Sequence, residues 1–393
     1  MTYDFDTPID RRSSESVKWN KFEADVLPMW VADMDFRSPP EVIQALHERV
    51  EHGVFGYPTG SRPGDLPALR NLLVERMWQR YGWQIEPDDL LFQSGVGTAY
   101  KLASLAFASP EVAVLVQTPL YPPLLGLAKT TAVLGREAEL RRGPDGCYEI
   151  DFEVFEAAAT GAAARDHAGL FMLCNPHNPT GRVFRRDELE RLAEICLRHD
   201  LLICSDEIHC DLTYRGQRHI PIASLDPEVA RRTVTLMAPS KTFNLAGLKF
   251  SFTIIQNPEL RQRFLSAGLG LGGWANLMGL TAAQAAYQYG GEWLEQLMVY
   301  LEGNRDYLYQ YVLNELPGIR MVKPEGTYLA WLDCRELNLP GSPYEFFLQR
   351  ARVAFNDGAM FGKGGKGFVR LNFGCPRSLL MEALERMKSA LAS

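Results

Sequence analysis

Five short apolar runs, at residues 112–116, 169–174, 201–205, 233–237 and 250–255, recur through the middle of the chain with helical stretches between them. Each is strand-length and closed by turn-forming residues, so each reads as a strand buried on both faces. Such strands need helices above and below, and an alternation of strand and helix supplies them. The clearest intervening helix is 187–199, where Leu189, Leu192, Ala193 and Cys196 share one face. The pattern predicts an α/β fold with a largely parallel sheet, and a shorter run at 90–93 adds a further strand.

The flanks read differently. Residues 1–40 are irregular and rich in Pro, Trp and Asp; Pro39 and Pro40 then open a helix with Val42, Ile43, Leu46 and Val50 at helical spacing. Gly-Val-Phe-Gly-Tyr-Pro at 53–58 ends that helix and leaves Tyr57 on a loop, and a second amphipathic helix fits 65–81. Beyond about residue 285 come a helical region at 292–315, a strand at 328–332 and a helix near 343–351. A glycine-rich loop at 362–367, a strand at 368–373 and a terminal helix complete a smaller α+β unit. The N-terminal arm is expected to join it, with substrate in the cleft between the units.

Composition narrows the function. A chain of 393 residues can bury a substantial core, and a formal charge of −7 speaks against a general nucleic-acid binder. The seven cysteines form no CxxC pair and several lie in apolar runs, as expected of free thiols in a reducing cytoplasm. The acidic N-terminus lacks the apolar core of a signal peptide, and no run is long enough to span a membrane.

Open parallel sheets bind ligands at the carboxyl ends of their strands, and polar residues gather there. Strand 90–93 leads into Ser94-Gly-Val-Gly, where the N–H groups of Gly95, Val96 and Gly97 would open a helix as an anion site. Strand 112–116 leads to Tyr121 on a proline-stiffened turn, and 169–174 to Asn178 in Asn-Pro-His-Asn-Pro-Thr-Gly. Strand 201–205 runs into Asp206, a carboxylate that should need a cationic partner. Strand 233–237 leads to Ser240-Lys241, with Lys249 close enough in sequence to lower the lysine's pKa. A surface loop would explain the Ser-Lys pair alone, and Gly-x-Gly alone is a weak signal. Together they suit a heteroaromatic cofactor with an aldehyde, a phosphate and a ring nitrogen, which describes pyridoxal 5′-phosphate. Lys241 would form the imine, the glycine turn would take the phosphate, and Tyr121 would stack on the ring. Asn178 would meet the phenolic oxygen and Asp206 the ring nitrogen.

Four motifs, NPHNPTG (175–181), SDEIH (205–209), SKTFNLAGLK (240–249) and RLNFGCP (370–376), resemble those of the fold-type I pyridoxal-phosphate enzymes of the aspartate aminotransferase superfamily, in the same order. The stretches IDRRSSESVKWNKF (9–22), LPMWVADMDF (27–36), FGYPTG (55–60), PEGTYLAWLDCR (324–335) and FGKGGKGFVRLNFGCP (361–376) are most similar to its MalY/PatB branch of cystathionine β-lyases, or carbon–sulfur lyases.

That resemblance implies a large domain at 46–285 with a mainly parallel seven-stranded sheet, and a small domain from 1–45 and 286–393. It implies that Lys241 is the imine-forming lysine and proton shuttle. Ser240 and Lys249 would help Gly95, Val96 and Gly97 hold the phosphate, and Arg370 would bind the substrate carboxylate as a bidentate fork beside an N–H of Ala32. Tyr57 would come from the partner subunit of a homodimer. His209 stands where many aminotransferases carry a tyrosine, and Ala238 where a phosphate-binding serine is often found. The activity implied is cleavage of S-substituted cysteines such as L-cystathionine to a thiol, pyruvate and ammonia. An aminotransferase on the same cofactor, or a regulatory protein acting through a partner, are the alternatives. Gly362-Lys-Gly-Gly-Lys-Gly lacks the Walker spacing and is expected to be a flexible active-site loop rather than a nucleotide site. Asp206, Glu207, His209, Cys210 and Asp211 sit on an extended segment whose alternate residues face opposite ways, so no metal site is expected.

Overall fold

A computed structural model describes residues 2–59, 65–160, 168–269 and 275–392; Gly60, the last residue of the 55–60 stretch, lies outside them. Its main sheet comprises β1 (Leu90–Gln93), β2 (Ala113–Thr118), β3 (Gly135–Glu139), β4 (Ala168–Cys174), β5 (Leu202–Asp206), β6 (Thr233–Met237) and β7 (Ser251–Ile254). The order is β1-β7-β6-β5-β4-β2-β3, seven strands. Neighbours from β6 to β3 pair in parallel, whereas β7 is antiparallel to both β6 and β1. Only β7 is therefore reversed, and the carboxyl ends of the other six lie along one edge.

Alternation along the central strands builds a core on each face of the sheet. Ala113, Leu115, Phe171, Leu173 and Ile203 pack on one face against Leu189, Leu192 and Ile195 of α4 (Arg186–Arg198). Val114, Val116, Leu170, Met172, Cys204, Val234 and Leu236 pack on the other against Val96, Ala99 and Phe107 of α3 (Val96–Phe107). Two earlier helices, α1 (Pro40–His52) and α2 (Pro67–Tyr81), start at prolines; the sequence predicts this for the first and places the second at 65–81. Strand β3 was not anticipated: Gly-Arg-Glu-Ala-Glu has no apolar run, because an edge strand leaves alternate residues in water.

The second sheet is antiparallel, in the order β8 (Arg320–Met321), β9 (Leu329–Asp333), β11 (Phe368–Asn372), β10 (Asn356–Asp357). Two long helices, α6 (Gly291–Glu315) and α7 (Arg377–Ala392), cover it through Leu301, Leu308, Val312, Leu380 and Leu384. A further helix, α5 (Leu277–Tyr289), precedes α6 and adds Ala282 and Ala286 to the same cluster. The N-terminal arm joins this unit: Leu27–Pro28 pairs in parallel with Val353–Ala354, and Phe5 packs edge-on against Phe36 and Trp293.

Close backbone contacts lock the two sheets together. The N–H groups of Glu325 and Gly326 both donate to the carbonyl of Gly181 at 2.9 Å, so the 175–181 turn sits directly on the 324–327 segment. A Cβ on Gly326 would come within 2.8 Å of the Leu212 carbonyl oxygen, which is why a glycine stands there. The glycine-rich loop is explained in the same way. Gly358 and Gly365 pass so closely that a Cβ on either would meet the other's carbonyl oxygen at 2.0–2.2 Å. Tight packing beside the Tyr121 turn, where Leu120 N–H donates to Phe361 O at 2.8 Å, is what those glycines permit.

Candidate active site

One cleft of about 520 Å³ opens at the carboxyl edge of the main sheet, and every site residue expected from sequence except Tyr57 lines it. The lysine arrives there because β6 ends at Met237 and Ala238 stays extended. Pro239 then starts a single helical turn, Pro239–Thr242, that carries Ser240 and Lys241. The Lys241 amine donates to the carbonyl of Ala32 at 2.6 Å. Burial pushes its pKa down to about 8; Arg370 and Lys249 act in the same direction, while Asp33 and Asp206 oppose them.

Asp206 is the last residue of β5 and only 4% exposed. Its carboxylate accepts one backbone hydrogen bond, from Ile208 N–H at 3.2 Å, and burial raises its pKa to about 7. The cationic partner that the sequence calls for is not in contact: among the described residues Asp206 joins no ion pair, and Lys241 only partly offsets its burial from farther off. Arg370, in the middle of β11, has the opposite problem. It donates to Asn178 Oδ1 at 2.8 Å, Asn356 Oδ1 at 2.7 Å and Trp30 O at 3.1 Å, all neutral acceptors. Among the described residues its Nε has no partner, and burial lowers its pKa to about 10. A buried anion and a buried cation thus face one cleft, each without its counter-ion.

At the far wall, Gly95 precedes α3 with φ 120°, a conformation open to glycine, and directs the first helical turn into the cleft. The first N–H groups of a helix have no carbonyl partners within it, and the helix dipole adds to their pull on an anion. Val96 and Gly97 supply such groups, with Ser240 and Lys249 on the same cleft. The sequence reading passed over Ser94 and Thr98, whose hydroxyls lie 3.2 Å apart at this end. Tyr121 is tied to the opposite turn by its N–H, which donates to Asn178 O at 3.1 Å. His209 is buried and its pKa lies well below the usual range because of burial and the nearby Lys241 and Arg370, so the ring is neutral. Among the described residues its Nδ1 has no hydrogen-bond partner.

The wall formed by residues 30–36 was the least legible part. The structure turns the Ala32 carbonyl to Lys241, where the resemblance had implied a role for its N–H. Neighbouring carbonyls are also occupied. Arg370 donates to Trp30 O, Asn372 to Val31 O and Asp33 O, Asn244 to Met34 O and Phe36 O, and Tyr328 to Ala32 O. Behind this wall Lys18, fully buried, pairs with Asp35 at 2.7 Å, and Arg11 bonds Asp35 at 2.6 Å and Asp33 at 2.9 Å. Arg11 and Lys18 belong to the 9–22 stretch; only the folded chain reveals their partners.

Two other groups go elsewhere. Tyr57 is 92% exposed, beside a separate cavity of about 380 Å³ shared with Arg49 and Leu277. The acidic run after β5 disperses: Glu207 takes His219 at 2.7 Å and Asp211 takes Arg76 at 2.6 Å, while Asp206 faces the cleft.

The unpaired carboxylate, unpaired guanidinium, helix terminus and depressed amine fit pyridoxal phosphate carrying an amino acid. A ring N–H⁺ would answer Asp206, a phosphate the α3 terminus, an aldehyde Lys241, and a carboxylate Arg370. The fold is that of the fold-type I pyridoxal-phosphate proteins. The profile of aminotransferase class I and II matches residues 24–387, and the chain belongs to that family, in its PatB-type branch. It is 41% identical over 401 residues to cystathionine beta-lyase PatB of Bacillus subtilis (strain 168), covering 99% of this chain and 100% of that one. Among solved structures it is similar to OvoB, with 44% identity, a TM-score of 0.92 and full coverage of both chains. The crystal structure of cystalysin from Treponema denticola, which contains pyridoxal 5′-phosphate, matches at 35% identity and TM-score 0.93, over 100% of this chain and 99% of that one.

Because the folded Asp206 pKa is raised, the folded protein binds a proton the unfolded chain releases, and cofactor-free stability falls between about pH 4 and pH 7. Asp206→Asn is expected to raise the melting temperature of the cofactor-free protein at pH 8 by about 5 °C and to leave it nearly unchanged at pH 4. Thermal melts at the two pH values check this; no gain at pH 8 would refute it. The Lys241 titration makes a second prediction. Recombination of cofactor-free protein with pyridoxal phosphate should quicken with pH and level off above about 8, as followed by absorbance.

Proposed function

We propose that this chain is a pyridoxal-phosphate-dependent carbon–sulfur β-lyase that cleaves S-substituted L-cysteines of the cystathionine kind to a thiol, pyruvate and ammonia. The observation that carries the cofactor is the pair of uncompensated charges, Asp206 and Arg370, in one cleft with Lys241. The lyase activity is supported by the full-length similarity to a protein named as a cystathionine beta-lyase.

When bound, the cofactor supplies an electron sink conjugated to the substrate Cα. The protein's own residues do the rest. Gly95, Val96, Gly97, Ser240 and Lys249 would hold the cofactor's phosphate, and Tyr121 would lie against its ring. Asp206 would stay ionised opposite a protonated ring nitrogen and hold the proton there. Asn178 Oδ1 is already engaged by Arg370, which leaves its amide N–H groups for the phenolic oxygen. Arg370 orients the substrate by its carboxylate through the free Nε face. Lys241, neutral in a large fraction at pH 8, takes the Cα proton as a base. The Cβ–S bond then breaks, the sulfur leaves as a thiolate that takes up a proton, and water converts the remaining three-carbon fragment to pyruvate and ammonia.

The working unit in this reading is a homodimer in the cytoplasm. Tyr57 lies away from the cleft of its own chain, with Val54 and Phe55 exposed beside it, which supports its insertion into the site of a second copy. All seven cysteines are free, and among the described residues no helix is long and apolar enough to cross a membrane. Residues 46–285 serve as the cofactor-binding domain, with 1–45 and 286–393 as the smaller one; the separation of the strands into a seven-stranded and a four-stranded sheet supports that division.

Incubation with L-cystathionine should release pyruvate and homocysteine in equal amounts, and Lys241→Ala should lower the rate by at least about a thousandfold. Amino-group transfer to a keto acid without pyruvate release would instead make the protein an aminotransferase. A cofactor-loaded protein doing neither would favour the regulatory reading. For the dimer, Tyr57→Ala mixed with Lys241→Ala under subunit exchange should recover about a quarter of wild-type activity, from heterodimers with one intact site. Absence of any recovery would sink the shared site.

A further inference from the structure

Tyr328 is buried just before β9, and its hydroxyl donates to the Ala32 carbonyl at 2.9 Å. The Lys241 amine donates to the same oxygen at 2.6 Å. A carbonyl oxygen has two lone pairs, and here one serves a phenol and the other the amine. This carbonyl is not free to turn. Asn372 donates to the carbonyls on either side of it, Val31 and Asp33, and Arg370 donates to Trp30 O. Across the phenol, the His209 ring stands edge-on at 5.9 Å. Burial keeps the phenol protonated, and among the described residues the bond to Ala32 is the one its hydroxyl makes.

We propose that Tyr328 is a positioning residue for Lys241: by occupying one lone pair of the Ala32 carbonyl it fixes the other, and with it the place where the lysine amine rests whenever it is not joined to the cofactor. The inference rests on the reading of Lys241 given above and adds the position from which that base works. A lysine has a flexible four-carbon stem, and substrate binding would release its amine just when it must find the Cα proton. One N–H held on Ala32 restricts the stem and leaves the amine lone pair available. The hydroxyl also affects basicity. An acceptor already engaged by a phenol is a poorer partner for an ammonium, so it favours the charged lysine less. The other groups facing the amine are Asp33 from the arm, Asp206 from β5, Arg370 from β11, Lys249 after the lysine turn and neutral His209. Arg370 and Asp33 also feel the Tyr328 phenol, but removing its oxygen deletes no hydrogen bond that any of these groups makes.

The test uses the full-length holoenzyme and Tyr328→Phe, held with saturating L-alanine, which has no Cβ leaving group and sets the Lys241 amine free without elimination. Competitive acetylation of Lys241 across a pH series, read by peptide mass spectrometry, gives the titration of that amine. In Tyr328→Phe it should move up by about half a pH unit or more. Exchange of the alanine Cα proton into deuterated water should slow by about tenfold at pH 7.5, with the half-saturating alanine concentration changed less than about twofold. A lowered melting temperature with an unmoved Lys241 titration would overturn the positioning role and leave Tyr328 as packing. Should the phenylalanine variant fold poorly, 3-fluorotyrosine at position 328, a stronger donor, should shift the titration downward; no shift would count against the proposal equally. If alanine does not expose Lys241 to acetylation at all, the assignment of Lys241 fails and this inference with it. Exposure without an effect of Tyr328→Phe overturns this inference alone.

Discussion

Two opposite charges, buried in one cleft and never allowed to meet, shape most of this molecule. Asp206 and Arg370 are each about 4% exposed; Arg370 bonds only neutral acceptors, and Asp206 accepts one backbone N–H while Lys241 acts on it from beyond ion-pair distance. Leaving a charge buried and unpaired costs several kcal/mol. The protein carries that cost twice because the compensating charges arrive with the ligand. Direct pairing of the two residues would stabilise the empty protein and remove both recognition points. The fold keeps them apart by placing one on the main sheet and the other on the second sheet.

The separation requires the two sheets to be fixed relative to each other, and the 30–36 wall does much of this. Its carbonyls accept from Lys241 and Asn244 of the main unit, and from Arg370, Asn372 and Tyr328 of the second. The wall is in turn anchored from behind by Lys18 and Arg11 on Asp33 and Asp35. A run of polar backbone in an irregular loop would ordinarily be costly to bury. Here the carbonyls of Trp30, Val31, Ala32, Asp33, Met34 and Phe36 are points of attachment, so the loop connects base, substrate-binding cation and arm.

Much of this was legible in the sequence. Alternating apolar runs gave the layered sheet, because burial on both faces leaves a mark that local composition cannot disguise. Lys241, Asp206, Asn178 and Tyr121 were found because each follows a strand directly, and parallel strands deliver their carboxyl ends to one edge. The polar edge strand β3 left no such mark. Neither did Tyr328, Asn356 and Asn372, whose roles come from partners far away in sequence. Gly358 and Gly365 are explained by a backbone crossing that no local pattern reveals.

The sequence by itself determined the layered fold, the family and the identity of the groups at the strand ends, since those depend on periodicity and on short-range order along the chain. Only the tertiary structure decided which of the charges would be left without partners and which face of Ala32 would meet Lys241. Those outcomes depend on distances between segments as much as 340 residues apart, as with Arg370 and Trp30, and through-space electrostatics has no signature in local sequence.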